Sequence, residues 1–190
     1  IILSCNIFYY HLIQKIGFEN WSRIHSLFGF GRRTGIDLPG EKKGIIPTKA
    51  YMNQKYTSRG WGKGSLLNFV IGQGDMLATP QQVIQILNLI SMSGLGYEPH
   101  LRKDILTSSF NLPFKKSTWK FLKEATFKVV NDSDGTGKNA NSDFGKVFGK
   151  TGTAQNPHGD DHSWFSGFTE LPEGDIMSLV VIVENGGKGS

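Results

Sequence analysis

With 190 residues, 38% hydrophobic content and 24 glycines, the chain is large enough to bury a core and reads as globular and turn-rich, which excludes a disordered polymer. The net charge of +5 suits an acidic or polymeric partner, but the basic residues fall in scattered pairs such as Lys42-Lys43 and Lys115-Lys116. No basic stripe interleaves with aromatics, so no nucleic-acid partner is expected. A single cysteine, Cys5, rules out an internal disulfide, and neither a membrane-span run nor a signal peptide is present.

In chain order, the first element is a helix over about 5–17, with Ile7, Phe8, Leu12, Ile13 and Ile16 near helical spacing and Gly17 as its stop. A second helical piece spans Trp21 to Phe28. Residues 29 to 75 hold many of the glycines and read as a long irregular excursion, a length associated with function or a lid. Within it, Gly72-Gln73-Gly74 suits a tight backbone approach, and Trp61 either lines a groove or packs the loop. The clearest helix follows: Thr79 as N-cap, Pro80 at the first helical position, Gln82 closing a capping box, and Gly94 as the end. Val83, Ile84, Leu87 and Ile90 make it apolar on most sides, hence buried. Another helix is expected over 117–131 with Ser117 as cap, then a polar loop "SDGTGKNANSD".

Three strands end the chain, at about 146–154, 162–169 and 176–183, with short links that suit an antiparallel meander. Helices first and an antiparallel sheet last give an α+β fold in one domain, with helices packed on the sheet. The aromatic run Trp164-Phe165-Phe168 is expected to pack sheet against helices. The chain opens in core-like sequence without a starting Met, and its last strand leads into a glycine-rich turn. It is therefore expected to be a fragment.

Lys150-Thr151-Gly152-Thr153 on the first of these strands needs an explanation. Gly149-Lys150-Thr151 could end a phosphate-binding loop, but that motif requires glycine where Phe144 stands. Lys150 could equally be a solvated strand residue. Ser4-Cys5-Asn6 offers a second polar constellation, although Ser4 could simply cap the first helix with Asn6 in its first turn. His158, Asp160, Asp161 and His162 are of metal-ligating types, yet read better as the loop after the first strand with His162 opening the next. No metal or cofactor is expected. Cys5 is a soft ligand type whose metal-binding partners would have to lie outside this chain; otherwise it reads as a small buried filler.

Together, Ser4-Cys5-Asn6 and Lys150-Thr151-Gly152-Thr153, 146 positions apart, are two of the three elements of serine acyl-transferases that react with penicillin. With "TGIDLPGEKKGIIP", "IGQGDMLATPQQV", "GKTGTAQ", "HSWFSGF" and "VVIVENGG" in order, the whole chain, 1–190, resembles the second half of the transpeptidase domain of a class B penicillin-binding protein. The branch it resembles is the elongation type, penicillin-binding protein 2. The resemblance implies the serine β-lactamase/penicillin-binding transpeptidase fold, truncated at both ends, and a D,D-transpeptidase cross-linking peptidoglycan stem peptides that end in D-Ala-D-Ala. It implies that Ser4 relays a proton to the leaving D-alanine nitrogen, Asn6 holds the substrate amide, and Lys150 hydrogen-bonds Ser4. Thr151 and Thr153 would bind the terminal carboxylate, the Thr153 N–H would supply half an oxyanion hole, and Gly152 would keep the strand edge clear for an added peptide strand.

The family's nucleophile, Ser-x-x-Lys, precedes Ser-x-Asn and so would lie upstream of Ile1, leaving this chain alone inactive. Ser117-Thr118-Trp119-Lys120 matches the pattern but in the wrong order. Implied partners are β-lactams and a membrane glycosyltransferase of the rod complex, at the bacterial cytoplasmic membrane with the catalytic domain on its outer face. The alternatives are a serine β-lactamase, and a non-catalytic β-lactam sensor or decayed paralogue. A sheet severed from its preceding strands exposes an edge, so the isolated 190 residues are expected to be poorly soluble or loosely packed.

Overall fold

The structure is a computed structural model that describes residues 1–57, 60–171 and 173–189; Ser58 and Arg59 of the expected long excursion, Pro172 and Ser190 lie outside the described residues. The chain falls into two compact units, Cys5–Gln82 and Ile1–Ser4 with Val83–Ser190.

In the first unit, helix α1 (Asn6–Ile16) ends at Gly17, whose N–H closes on the Ile13 carbonyl and whose φ of +77° releases the chain at once into α2 (Phe18–Leu27). The second helix thus starts three residues earlier than its apolar pattern suggests. The region 29–75 is not wholly irregular: it holds α3 (Lys49–Lys55), capped by the Thr48 hydroxyl, and α4 (Lys63–Val70). Ile13, Phe18, Trp21, Met52 and Phe69 form the core of this unit. Trp61 packs on Phe18 at 4.9 Å and donates its indole N–H to Asn53 Oδ1, so it is a packing residue here. Gly72 and Gly74 both take positive φ, and a Cβ on Gly74 would press on the Phe69 ring at 3.1 Å. The close approach expected there is real.

Helix α5 (Pro80–Ser91) begins with the expected reciprocal cap: Thr79 N–H donates to Gln82 Oε1 and Gln82 N–H to Thr79 Oγ1. Gln82 does more than cap. Its buried amide nitrogen also donates to the carbonyls of Arg32 and Lys43 at 2.8 Å and of Gly29 at 3.3 Å, gathering the glycine-rich loop around one side chain.

In the second unit, Gly94 (φ +98°) turns the chain against Trp119 and into a two-stranded ribbon, β1 (Leu95–Tyr97) with β2 (Ser109–Asn111), which the sequence pattern did not signal. Helix α6 (Lys116–Asn131) buries Trp119, Ala125, Thr126, Val129 and Val130. Its N-cap is Lys115, with no side-chain cap, and Ser117 is exposed inside the first turn rather than capping it. Strands β3 (Lys146–Ala154), β4 (His162–Glu170) and β5 (Ile176–Val183) pair antiparallel in the order β3-β4-β5, as expected. Phe148 of β3 stacks on Phe168 of β4 at 4.6 Å and meets Phe127 of α6, fixing helix on sheet. On the other face, Met177, Leu179, Val181 and Val183 of β5 remain exposed.

Candidate active site

The site is built on β3, an edge strand among the described residues, paired with β4. Alternation along the strand sends Phe148 into the core face, and Lys150 follows it two residues on. The Lys150 ammonium is partly buried and donates to the Thr151 carbonyl at 2.8 Å and the Thr151 hydroxyl at 3.3 Å. Burial holds its pKa below the usual lysine range. A desolvated cation of this kind carries a strong local field and exchanges its proton more readily than a surface lysine.

Thr151 in turn donates its hydroxyl proton to Thr136 Oγ1 at 2.9 Å. Thr136 lies in the loop after α6, a residue that sequence reasoning passed over as part of a polar link. Its placement has a local cause. Gly137 N–H closes on the Val129 carbonyl at 2.9 Å, and a Cβ on Gly135 would lie 2.3 Å from that same carbonyl. Two buried glycines therefore press the loop onto the end of α6 and leave Thr136 directed at β3. A Gly-Thr-Gly triplet three residues past the end of a helix was the available signal.

The glycines of β3 answer to β4. A Cβ on Gly149 would meet the Phe165 ring at 2.5 Å, and one on Gly152 would stand 3.3 Å from Trp164 Cβ, its cross-strand partner. Gly152 thus fits the sheet face itself, a constraint beside the clear edge expected of it. The Trp164 indole N–H is buried with no hydrogen-bond partner among the described residues. Thr153 Oγ1 accepts the Gly189 N–H at 3.1 Å, while Ser163 Oγ donates to the Gly187 carbonyl, so the glycine-rich tail lies along this end of β3 and β4.

Ser4 belongs to the same compact unit as Lys150, and Asn6 to the other. The expected Lys150–Ser4 hydrogen bond is not formed among the described residues; the ammonium bonds the Thr151 carbonyl and hydroxyl. Ser4 does not cap α1 either: Cys5 is the N-cap, and Ser4 sits at φ +49°, in the left-handed region uncommon for a non-glycine residue. Such a conformation costs on the order of 1–3 kcal/mol and concentrates at functional positions. Asn6 is exposed at the start of α1. Cys5 is exposed too, which corrects its reading as a buried filler. Ser117 and Lys120 face solvent, the latter beside Glu124 at 3.8 Å, so that Ser-x-x-Lys string has the environment of a surface helix. No group of three or more His, Cys, Asp or Glu side chains converges for a metal among the described residues. His162 opens β4 as expected and accepts the Asn185 N–H through Nδ1.

The penicillin binding protein transpeptidase domain family matches residues 1–190. The chain belongs to that family. It is 32% identical to the peptidoglycan D,D-transpeptidase MrdA of Haemophilus influenzae over 98% of its own length and 33% of that protein's. Among solved structures, it matches the complex between penicillin-binding protein PBP2 and MreC from Helicobacter pylori at TM-score 0.88 and 31% identity, over 100% of this chain and 36% of that one. A structure of a peptidoglycan synthase complex that coordinates polymerization and crosslinking matches at TM-score 0.87 and 32% identity, over 100% and 34%. The fold is thus the penicillin-binding transpeptidase fold, and the chain spans about a third of the curated relatives it matches. No described helix is long and apolar enough to cross a membrane.

Proposed function

We propose that this chain forms part of a peptidoglycan D,D-transpeptidase of the elongation type, and that Lys150-Thr151-Gly152-Thr153 is where the D-Ala-D-Ala end of a stem peptide lies. The observation that carries the reading is a partly buried lysine on an edge strand, linked to two hydroxyl groups in a row. An extended peptide adds naturally to such an edge through backbone pairing, and at Gly152 and Thr153 it would take the place of Gly189. Thr151 and Thr153 then meet the terminal carboxylate, with the Lys150 charge behind them.

The nucleophile in this reading is a serine of an Ser-x-x-Lys element outside this chain. Its oxygen attacks the carbonyl of the penultimate D-alanine, and the C–N bond to the terminal D-alanine breaks. Ser4 passes a proton to the departing nitrogen, Asn6 holds the substrate amide, and the Thr153 N–H steadies the negative oxygen. The amine of a second stem peptide then takes the acyl group and restores the serine. A β-lactam enters by the same attack and stays as the acyl-enzyme. Work beside a membrane glycosyltransferase, at the outer face of the cytoplasmic membrane, completes the proposal; the pairing with a polymerising partner draws support from the synthase complex that this chain resembles.

The test is acylation of the complete gene product by a fluorescent penicillin. Replacing Lys150 with Met, close in length and uncharged, should slow labelling by about 100-fold or more, the scale for losing one preorganised electrostatic group. Labelling of Lys150→Met at the unaltered rate would remove the site from the reaction.

A further inference from the structure

We infer that Thr136 is a positioning residue for carboxylate recognition, acting through Thr151; the inference rests on the proposed reading of β3 as the carboxylate site. A hydroxyl carries one proton and two acceptor lone pairs. In the structure, Thr151 accepts from Lys150 Nζ and spends its proton on Thr136 Oγ1. The 2.9 Å bond fixes the Thr151 oxygen, and either hydroxyl can be its donor.

Thr136 brings a second proton to the pair, so it can hold Thr151 in place while the Thr151 proton is given to a ligand. When a carboxylate arrives, the bond reverses: Thr136 donates to Thr151, and the Thr151 proton turns outward to the carboxylate. Lys150 keeps its bond to the Thr151 oxygen throughout, so the cation and the reoriented hydroxyl act on the ligand as a unit. Reversal moves no heavy atom. A β-branched threonine has few χ1 states, and the partner at 136 holds Thr151 in the useful one.

The loop is built to keep Thr136 in place. Gly135 and Gly137 on either side are buried, and added Cβ atoms there would stand 2.3 Å from the Val129 carbonyl and 3.2 Å from the Val129 side chain. Asp132 ends α6 and accepts from the Gly135 N–H at 2.9 Å and, through Oδ1, from the Asp134 N–H at 3.1 Å. These contacts hold the turn from which Thr136 reaches β3.

The experiment compares acylation rates of the complete gene product with a penicillin carrying its free carboxylate and with the methyl ester of the same penicillin. Thr136→Val should lower the carboxylate-to-ester rate ratio about tenfold, the scale of one hydrogen bond, and Thr136→Ser should return it to within about twofold of the parent. Thr136→Ala, which also lacks the hydroxyl, serves if the valine protein does not fold. Thr151→Val is the control for the underlying reading. If it lowers the ratio while Thr136→Val leaves it unchanged, the inference alone fails. If Thr151→Val leaves the ratio unchanged, the carboxylate reading of β3 fails first. Equal slowing of acid and ester in Thr136→Val, or no rescue by serine, makes Thr136 a merely structural residue and overturns the inference.

Discussion

Replacing Gln82 with Met should destabilise the Cys5–Gln82 unit severely while leaving side-chain volume nearly unchanged. Gln82 is 1% exposed. Its two amide hydrogens serve the Arg32 and Lys43 carbonyls at 2.8 Å, with the Gly29 carbonyl at 3.3 Å sharing one of them, and its Oε1 accepts the Thr79 N–H at 2.9 Å. Methionine removes three good hydrogen bonds and leaves their backbone partners without replacements. At about 1–2 kcal/mol for each group so stranded, the loss comes to about 3–6 kcal/mol. For a domain of this size each kcal/mol moves the melting temperature by about 2–4 °C, so the thermal transition of this domain should fall by about 6 °C or more. Gln82→Glu keeps the acceptor for Thr79 but sets a negative charge against three carbonyl oxygens. It should be at least as damaging at neutral pH and recover in part as the carboxyl protonates at lower pH. Differential scanning fluorimetry on the complete gene product, with urea titration as a second probe, measures both. A Gln82→Met protein within about 1 kcal/mol of the parent would refute the hub, since loss of a single net hydrogen bond already costs that much.

Gly94→Ala should cost about 3 kcal/mol in urea unfolding, because it combines a positive φ with a Cβ placed 2.7 Å from the Trp119 ring; a neutral substitution would mean that the turn relaxes freely. His25 should make the protein acid-sensitive. Its ring is largely buried beside Trp21 and Phe30, Nδ1–H donates to the Trp21 carbonyl at 2.8 Å, and desolvation lowers its pKa below the ordinary histidine range. The unfolded chain then binds the extra proton first, so the contribution is complete above about pH 6.5 and is lost as pH falls through the lowered folded value. A His25→Asn variant should show a flatter stability profile between about pH 7 and 5 than the parent; identical profiles would exclude His25 as the cause.

The sheet was legible almost residue for residue because β3, β4 and β5 are eight or nine residues long, bounded by polar turns, and built from β-branched and aromatic residues at a period of two. The capping box at Thr79 and Gln82 was legible for the same reason: both partners lie within four residues of each other. Helices α3 and α4 were not, since seven or eight residues show at most two turns of pattern and the flanking glycines suggest a loop. The three-residue strands β1 and β2 have no period at all; their pairing sets Gly96 against the Phe110 ring, a contact between residues well apart in sequence. At the site, Lys150 to Thr153 could be read as a motif. The two contacts that organise it could not, because the Lys150–Thr151 bond depends on burial and the Thr151–Thr136 bond crosses from a loop to a strand. Cys5 shows the converse error: residue type suggests burial, while its place as N-cap of an exposed helix start dictates the opposite.

The most direct test of the central claim is the intact mass of the complete gene product after incubation with a β-lactam, followed by peptide mapping of the adduct. The account predicts one stable acyl adduct on a serine upstream of Ile1, formed at a rate that collapses in Lys150→Met. An adduct on Ser117, or no adduct on a demonstrably folded protein, would contradict it.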